Sequence, residues 1–181
     1  MPHLRYNVAT SLDGYIASLD GSTRWIVDDS TIDFDALYAE FDFFVMGRKT
    51  YEVMQSYGGP DENPLAKRSK ESVIVASRSM KQEDFPSITV VSDNVIDYIW
   101  NLKSGAEKDI WLMGGGLLAS QCLEACLVDT IEAAIIPVVL GDGIKVVEQV
   151  SRNFGLCLSA SKALESGVVM TQYTVINGQA D

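Results

Sequence analysis

A chain of 181 residues with 47% hydrophobic residues is long enough for one globular domain, which we expect to span residues 1–181. Its formal net charge of −11 argues against a nucleic acid partner, and no apolar run is long enough to span a bilayer. The single histidine, His3, excludes a catalytic serine–histidine or cysteine–histidine pair and a histidine-rich metal site. Three cysteines without a disulfide framework fit a cytoplasmic protein.

Residues 4–12 form the first predicted strand, which has an apolar centre. The strand ends in Ser11-Leu12-Asp13-Gly14, where Asp13 is either a turn residue or a carboxylic acid that donates a proton. A long ordered loop follows to about residue 29, and loops of this kind often carry function. Within it, Trp25 either walls a pocket or belongs to the core.

The first predicted helix covers about residues 31–40 and is capped by Ser30. Asp33 is expected at its third position, where a carboxylate favours the helix N-terminus. Residues 43–46 are a fully apolar strand that runs directly into Gly47-Arg48-Lys49-Thr50, the start of a second helix. Because cations in a first turn oppose the helix dipole unless an anion binds there, we favour an anion site over a solvated turn.

A loop over residues 58–64 separates this helix from a buried strand at residues 72–76. Ser77-Arg78-Ser79 follows that strand and supplies a further polar cluster. Seven of the 14 lysines and arginines lie between Arg48 and Lys81. A local basic patch on an acidic protein favours a small anionic ligand.

A strand at residues 88–91 and a helix at 94–103 lead to the central predicted strand, Ile110-Trp111-Leu112-Met113. The run Gly114-Gly115-Gly116 then opens a helix over residues 117–125. Glycine has no Cβ, so a ligand can reach the backbone and the free N–H groups of the helix start, which suits a nucleotide diphosphate. A tight turn without a ligand is the alternative.

The predicted helix at 117–125 is followed by regions with clear strand patterns. We expect Cys122 and Cys126, four residues apart, on the buried face of the helix. Residues 130–139 form a long strand that Pro137 interrupts, which indicates an edge or a bulge. Two further strands, at 156–164 and 167–175, predict a C-terminal antiparallel hairpin.

Strands that alternate with helices predict an α/β domain with a mainly parallel sheet. Such sheets bind ligands at the carboxyl ends of their strands. The clusters at Gly47, Ser77 and Gly114 each follow a predicted strand, so we expect them to meet at that edge. Their convergence is a stronger signal for a ligand site than any one cluster.

These clusters, in this order, resemble the dihydrofolate reductase superfamily. Met46-Gly47-Arg48-Lys49-Thr50-Tyr51-Glu52 resembles its nucleotide motif, Ser77-Arg78-Ser79 its site for the adenosine 2′-phosphate, and Met113-Gly114-Gly115-Gly116 its diphosphate loop. Residues 11–17 and 136–143 are similar to the reductase domain of bacterial riboflavin biosynthesis and its stand-alone relatives. The resemblance implies a three-layer dihydrofolate reductase-like fold, with a mainly parallel central sheet and a C-terminal antiparallel hairpin.

The resemblance also implies an NADPH-dependent reductase that transfers hydride to a C=N or C=O group of a small pyrimidine- or pterin-like substrate. Reduction of 5-amino-6-(5-phosphoribosylamino)uracil is the family expectation, with Asp13 as the candidate proton donor. The implied cofactor-binding residues are Ala9, Ile16, Ala17, Gly47, Arg48, Lys49, Thr50, Ala76, Ser77, Arg78, Ser79, Met113, Gly114, Gly115, Gly116, Leu117 and Leu118. The candidate substrate-binding residues are Asn7, Trp25, Asp29 and Asp33.

Two departures from the family pattern bear on the substrate. The carboxylate that dihydrofolate reductases carry on their first helix falls near Thr31, between Asp29 and Asp33. The riboflavin branch usually has a lysine where Asn7 stands. The alternatives to the riboflavin-type reductase are a nucleotide-binding module or sensor without reductase activity, and a dihydrofolate reductase.

A homodimer is the expected assembly. The apolar run at residues 133–140, on a strand that Pro137 interrupts, favours pairing of an edge with a second copy. The riboflavin branch that the chain resembles also forms dimers. No other macromolecular partner is expected.

Overall fold

The computed structural model describes residues 1–56 and 63–176, so most of the loop predicted at 58–64 lies outside the described residues. The helices are α1 (Phe34–Ala39), α2 (Arg48–Ser56), α3 (Val95–Gly105) and α4 (Gly116–Glu124). The strands are β1 (Leu4–Ser11), β2 (Tyr15–Ala17), β3 (Phe41–Gly47), β4 (Val73–Ala76), β5 (Thr89–Val91), β6 (Asp109–Gly114), β7 (Thr130–Ile136), β8 (Ile144–Lys145), β9 (Gly155–Ala163) and β10 (Val169–Ile176).

Eight of the strands form one sheet in the order β5-β4-β3-β6-β1-β7-β10-β9. The pairs from β5 to β7 are all parallel, whereas β10 is antiparallel to both β7 and β9. Strands β2 and β8 form a separate antiparallel pair. The predicted mainly parallel sheet with a C-terminal antiparallel hairpin is confirmed.

The sheet lies between two hydrophobic cores because apolar residues point to both of its faces. On one face, Leu4, Tyr6 and Leu112 pack with Leu118 and Ile99 from α4 and α3. On the other face, an aromatic cluster packs against the α1 side of the sheet and consists of Tyr38, Phe41, Phe44 and Trp111. This arrangement is the predicted three-layer α/β fold.

Two local predictions near helix ends are wrong. Helix α1 begins at Phe34 rather than near residue 31, and its cap is Asp33 rather than Ser30, because the Asp33 side chain accepts a hydrogen bond from the Ala36 N–H. Cys122 is buried as expected, but Cys126 is exposed, since α4 ends at Glu124 and Cys126 lies beyond it with φ 54°.

The strand predicted over residues 130–139 is shorter than expected, and of the two readings of Pro137, an edge or a bulge, the edge is wrong. Strand β7 ends at Ile136, before Pro137, and pairs with β1 on one side and β10 on the other. The edges of the sheet are β5 and β9. Within the described part of the chain, no helix is long and apolar enough to cross a membrane.

Candidate functional site

A cleft of about 2020 Å³ opens at the carboxyl edge of the parallel strands. Three strands end at it, β3 with Gly47, β4 with Ala76 and β6 with Gly114. The sites predicted from the sequence that line it are Asn7, Ala9, Ile16, Ala17, Asp29, Gly47, Arg48, Lys49, Thr50, Ala76, Ser77, Arg78, Met113, Gly115, Gly116, Leu117 and Leu118. The structure therefore brings the three clusters together at one surface.

The first cluster is the junction between β3 and α2, where the strand passes into the helix without an intervening loop. A Cβ added to Gly47 would lie 3.7 Å from the Gly115 nitrogen, so the two glycine segments are neighbours. Arg48 donates to Glu52 across one helical turn at 2.8 Å, and both side chains are exposed. The Arg48 cation thus has a partner within the protein, while Lys49 stands exposed at the same helix start.

The second cluster follows β4. The Ser77 hydroxyl accepts hydrogen bonds from the backbone N–H groups of Ser79 and Met80, at 3.3 and 3.2 Å, and so closes a tight turn. Ser77 itself is fixed to β5 by its N–H, which donates to the Val91 carbonyl at 3.0 Å. Arg78 at the tip of this turn is exposed and lines the cleft, whereas Ser79 does not line it.

The third cluster is the glycine run between β6 and α4. Gly115 caps α4 and brings no side-chain acceptor to the first N–H groups of the helix. A Cβ on Gly115 would meet Thr50 and Ile16 at 3.8 and 3.9 Å, which is ordinary contact distance. The Gly114–Gly115 peptide bond is cis. Gly116 differs from Gly115, because a Cβ there would overlap the Lys145 carbonyl oxygen.

A dinucleotide fits this arrangement on two observations. A Cβ on Gly115 would make only ordinary contacts, and Gly115 stands at the start of α4, where none of the described side chains caps the first N–H groups of the helix. Three cations, Arg48, Lys49 and Arg78, line the cleft beside β3 and β4. Free N–H groups and cations are what phosphate oxygens require, whereas no group of three or more histidine, cysteine or acidic side chains suited to a metal occurs among the described residues.

Asp13 lies outside the cleft lining and acts as a loop anchor. Its Oδ1 accepts from the Ser11 hydroxyl at 2.7 Å and from Leu140 N–H at 3.1 Å, and its Oδ2 accepts from Gly141 N–H at 2.7 Å. The Ser11 hydroxyl, with these amides, lowers the pKa of Asp13 to about 2. A carboxylate that is ionised at neutral pH has no proton to donate, which favours the turn role over the catalytic one.

Of the three remaining substrate candidates, Trp25, Asp29 and Asp33, Asp29 alone lines the cleft. Asp29 accepts from the Ser166 hydroxyl at 2.5 Å and from Thr31, contacts that lower its pKa. Asp33 caps α1 and does not line the cleft. Trp25 also lies outside the lining, and its buried indole nitrogen finds no partner in residues 1–56 and 63–176.

Sequence reasoning missed Glu132, which lies on β7 directly beside Asn7. Its carboxylate accepts from Arg5 through Nε at 2.6 Å and Nη2 at 2.8 Å, and from Asn7 Nδ2 at 2.9 Å. Burial opposes the charge on Arg5, but its hydrogen bonds to Glu132 and Glu40 outweigh that and raise its pKa. The available signal was a single carboxylate in the otherwise apolar run Ile131-Glu132-Ala133-Ala134-Ile135.

Comparison with known proteins places these features in a family. The family profile described as the RibD C-terminal domain matches residues 2–170. The uncharacterized protein YyaP of Bacillus subtilis is 29% identical over 173 residues, which are 92% of each chain. The riboflavin biosynthesis protein RibD of Mycobacterium tuberculosis is 26% identical over 161 residues, covering 83% of this chain but 46% of that protein.

A solved structure shares the fold over nearly the whole chain. It is a protein of Shewanella sp. PV-4 that is provisionally described as a riboflavin biosynthesis protein. Its sequence is 24% identical to this chain, and the TM-score is 0.80. The match covers 98% of this chain and 100% of that one. At this level of identity the likeness establishes the fold, whereas the chemistry of this chain depends on the residues of its own cleft.

Proposed function

The chain belongs to the RibD C-terminal domain family, and from this premise we propose that it is an NADPH-dependent reductase acting on a C=N or C=O group of a small molecule. The observation that carries the proposal is the meeting of three clusters, at Gly47, Ser77 and Gly115, around one cleft. Each offers phosphate-binding chemistry, and they follow neighbouring strands at the edge where parallel sheets bind ligands.

The three clusters suit different parts of a dinucleotide. The open N–H groups of α4 behind Gly115 favour the diphosphate, and Lys49 and Thr50 at the start of α2 supply further donors. Arg78 on the turn after β4 favours the extra phosphate that distinguishes NADPH from NADH. NADPH would supply a hydride, and Ala9, Ile16 and Ala17 would border its nicotinamide ring.

We infer that water, rather than a carboxylic acid side chain, supplies the proton that the reduced substrate takes up. Hydrogen bonds lower the pKa values of Asp13 and Asp29, so both are ionised at neutral pH. Asp29 and Asp33 are the carboxylates nearest in sequence to Thr31, the place where dihydrofolate reductases carry their acid. Asp33 caps α1 outside the cleft lining, and Asp29 already accepts hydrogen bonds from Ser166 and Thr31. We therefore favour the riboflavin-type reductase over a dihydrofolate reductase.

The proposal is tested by binding and by turnover. We expect calorimetry to show tighter binding of NADPH than of NADH, and a panel of imines and carbonyls to include compounds that consume NADPH. Charge-assisted hydrogen bonds contribute about 1.5–3 kcal/mol, so Arg78→Ala should weaken NADPH binding about tenfold or more and leave NADH binding unchanged.

Lys81→Ala is the matched control, because Lys81 is a nearby exposed cation that does not line the cleft. Equal affinity of the wild-type protein for the two cofactors would contradict the role of Arg78. Tight NADPH binding without turnover of any compound would instead support a nucleotide-binding module or sensor.

A further inference from the structure

One end of the cleft is formed by residues of β1, β7 and β10, which lie on the side of β6 away from β3 and β4. Asn7 and Ala9 project from β1 to the same face, and in the sheet register Glu132 lies beside Asn7 and Ala134 beside Ala9. Met170 of β10 lies beside Ala134. We call the cleft surface formed by Asn7, Ala9, Trp111, Ala134 and Met170 the substrate end, a name that rests on the function proposed above.

The amide of Asn7 is the polar group of this surface, and Glu132 fixes its orientation. A carboxylate paired with Arg5 can only accept, so the nitrogen of the Asn7 amide must face it, at 2.9 Å from Oε2. The backbone carbonyl of Asn7 accepts a hydrogen bond from Trp111 Nε1 at 2.8 Å, which fixes the β1 backbone that carries the Asn7 side chain. The side-chain oxygen Oδ1 has no hydrogen-bond partner among the described residues.

An unpaired hydrogen-bond acceptor in a ligand cleft favours the binding of a molecule that carries a hydrogen-bond donor. An N–H or O–H group that pairs with Oδ1 satisfies it, whereas a ligand without a donor leaves the oxygen desolvated and unpaired. Asn7 is partly buried and lines the cleft, so Oδ1 is held at the surface that a ligand would cover.

The charges around the substrate end disfavour an anionic molecule. Of the described residues that line the cleft, the segment 19–29 contributes one cation, Arg24, against Asp20, Asp28 and Asp29. The other cations, Arg48, Lys49 and Arg78, lie beside β3 and β4. An anionic substrate group would meet more carboxylates than cations at this end.

We propose that the substrate is a small carbonyl or imine compound without a negative charge, whose ring N–H donates a hydrogen bond to Asn7 Oδ1. A ketone reduced here would gain a hydride at its carbonyl carbon from NADPH, which would become NADP⁺, as the C=O π bond breaks. Its oxygen would take a proton from water, which would become hydroxide, and the product would be an alcohol. Asn7 binds the substrate in this scheme, and Glu132 is a positioning residue that keeps the Asn7 oxygen turned outward.

Matched pairs of probes test the hydrogen bond directly. The pairs are isatin with N-methylisatin and phthalimide with N-methylphthalimide, whose members differ only in whether the ring nitrogen carries a hydrogen or a methyl group. A fifth probe, isatin-5-sulfonate, adds a negative charge to isatin. Affinities are measured by calorimetry on the wild-type protein saturated with NADP⁺. We expect each N–H compound to bind about tenfold more tightly than its N-methyl partner, and isatin to bind more tightly than its sulfonate.

Variants assign the preference to Asn7. Asn7→Leu keeps a similar volume without the acceptor, so we expect the two members of each pair to bind equally. Gln172→Leu is the control, because Gln172 also contacts Glu132, at 3.5 Å, but lies outside the cleft lining, and it should keep the preference. Glu132→Gln should reduce the ratio within each pair, since the amide is no longer held in one orientation.

The outcomes separate this proposal from the function it rests on. NADPH binding is measured on every protein, and its loss in the wild type would count against the reductase itself. Normal NADPH binding with no N–H preference, with a preference that survives Asn7→Leu, or with no binding of isatin and phthalimide would overturn the role of Asn7. If Glu132→Gln does not fold, Asn7→Leu and Gln172→Leu still decide the matter.

Discussion

Gly115 and Gly116 are adjacent in sequence, yet the structure gives each a different reason to be glycine. At Gly116, any Cβ would overlap the Lys145 carbonyl oxygen, so packing of the protein requires the glycine. At Gly115, a Cβ would touch Thr50 and Ile16 only at ordinary contact distance. Packing of the protein therefore does not require glycine at Gly115, and a requirement for glycine there would come from a ligand.

Gly115→Ala should separate cofactor binding from folding. We expect a melting temperature close to that of the wild type and a loss of NADPH affinity of about tenfold or more, because the methyl group occupies the surface that faces the α4 N–H groups. Gly105→Ala is the matched control, since nothing lies within 4 Å of a Cβ there. A stable Gly115→Ala protein with wild-type affinity would show that the glycine run is only a turn.

At the scale of elements, Asp13 joins the turn after β1 to the chain around Leu140 and Gly141. Because the pKa of Asp13 falls from 3.8 to about 2 on folding, its ionised form stabilises the folded state above pH 3.8, and that contribution is lost as the pH falls towards 2. Asp13→Ala should therefore melt at a lower temperature than the wild type at pH 7. The difference should shrink between pH 3.8 and about 2.

Turnover of the same variant addresses catalysis. General acids contribute about 10²- to 10⁴-fold, so retention of most activity by Asp13→Ala fits an anchor, and a loss of that size would restore the proton-donor role. Asp142→Ala is a useful control, because Asp142 is a nearby exposed acid whose side chain accepts, from the described residues, only the Gly143 N–H. Melting curves that keep the same separation at every pH would contradict the linkage argument.

The elements that depend on local pattern could be predicted from the sequence, and those that depend on distant contacts could not. The strands at β4 and β6 and the glycine-led helix α4 follow from short apolar runs and glycine punctuation. Whether β7 was an edge depended on β10, whose pairing residues lie far along the chain. Glu132 acquires its role from Arg5 and Asn7, which are more than 120 residues away. A lone carboxylate in an apolar run marks the position in the sequence but does not identify these partners.

The same limit explains what was missed in the candidate site. The phosphate-binding clusters are local, because each is a strand end followed by a turn or helix start, and their positions around one cleft agree with the sequence argument. The substrate side is assembled from β1, β7 and β10, which meet only in the folded sheet. Asp13 had two roles open in the sequence, and only its contacts with Leu140 and Gly141 distinguish them.

At the scale of the whole molecule, we expect a homodimer formed through β9 rather than β7. Strand β9 is a nine-residue edge that is exposed along nearly its whole length, with Leu156 and Leu158 43% and 53% exposed on the same face. Long exposed edges with apolar residues invite pairing. Light scattering at micromolar concentration should give twice the mass of one chain, and Leu158→Lys should give a monomer. A wild-type monomer would contradict this prediction.

The hydrogen bond between Ser166 and Asp29 ties the turn of the C-terminal hairpin to the loop that borders the cleft. The hairpin also contributes Val168 and Met170 to the lining, whereas the phosphate-binding clusters lie on the other half of the sheet. The hairpin therefore contributes to the same side of the cleft as Asn7, on a stretch of chain that carries none of the three clusters. A change in the hairpin would therefore reach the substrate side of the cleft without altering the strands that carry the phosphate-binding clusters.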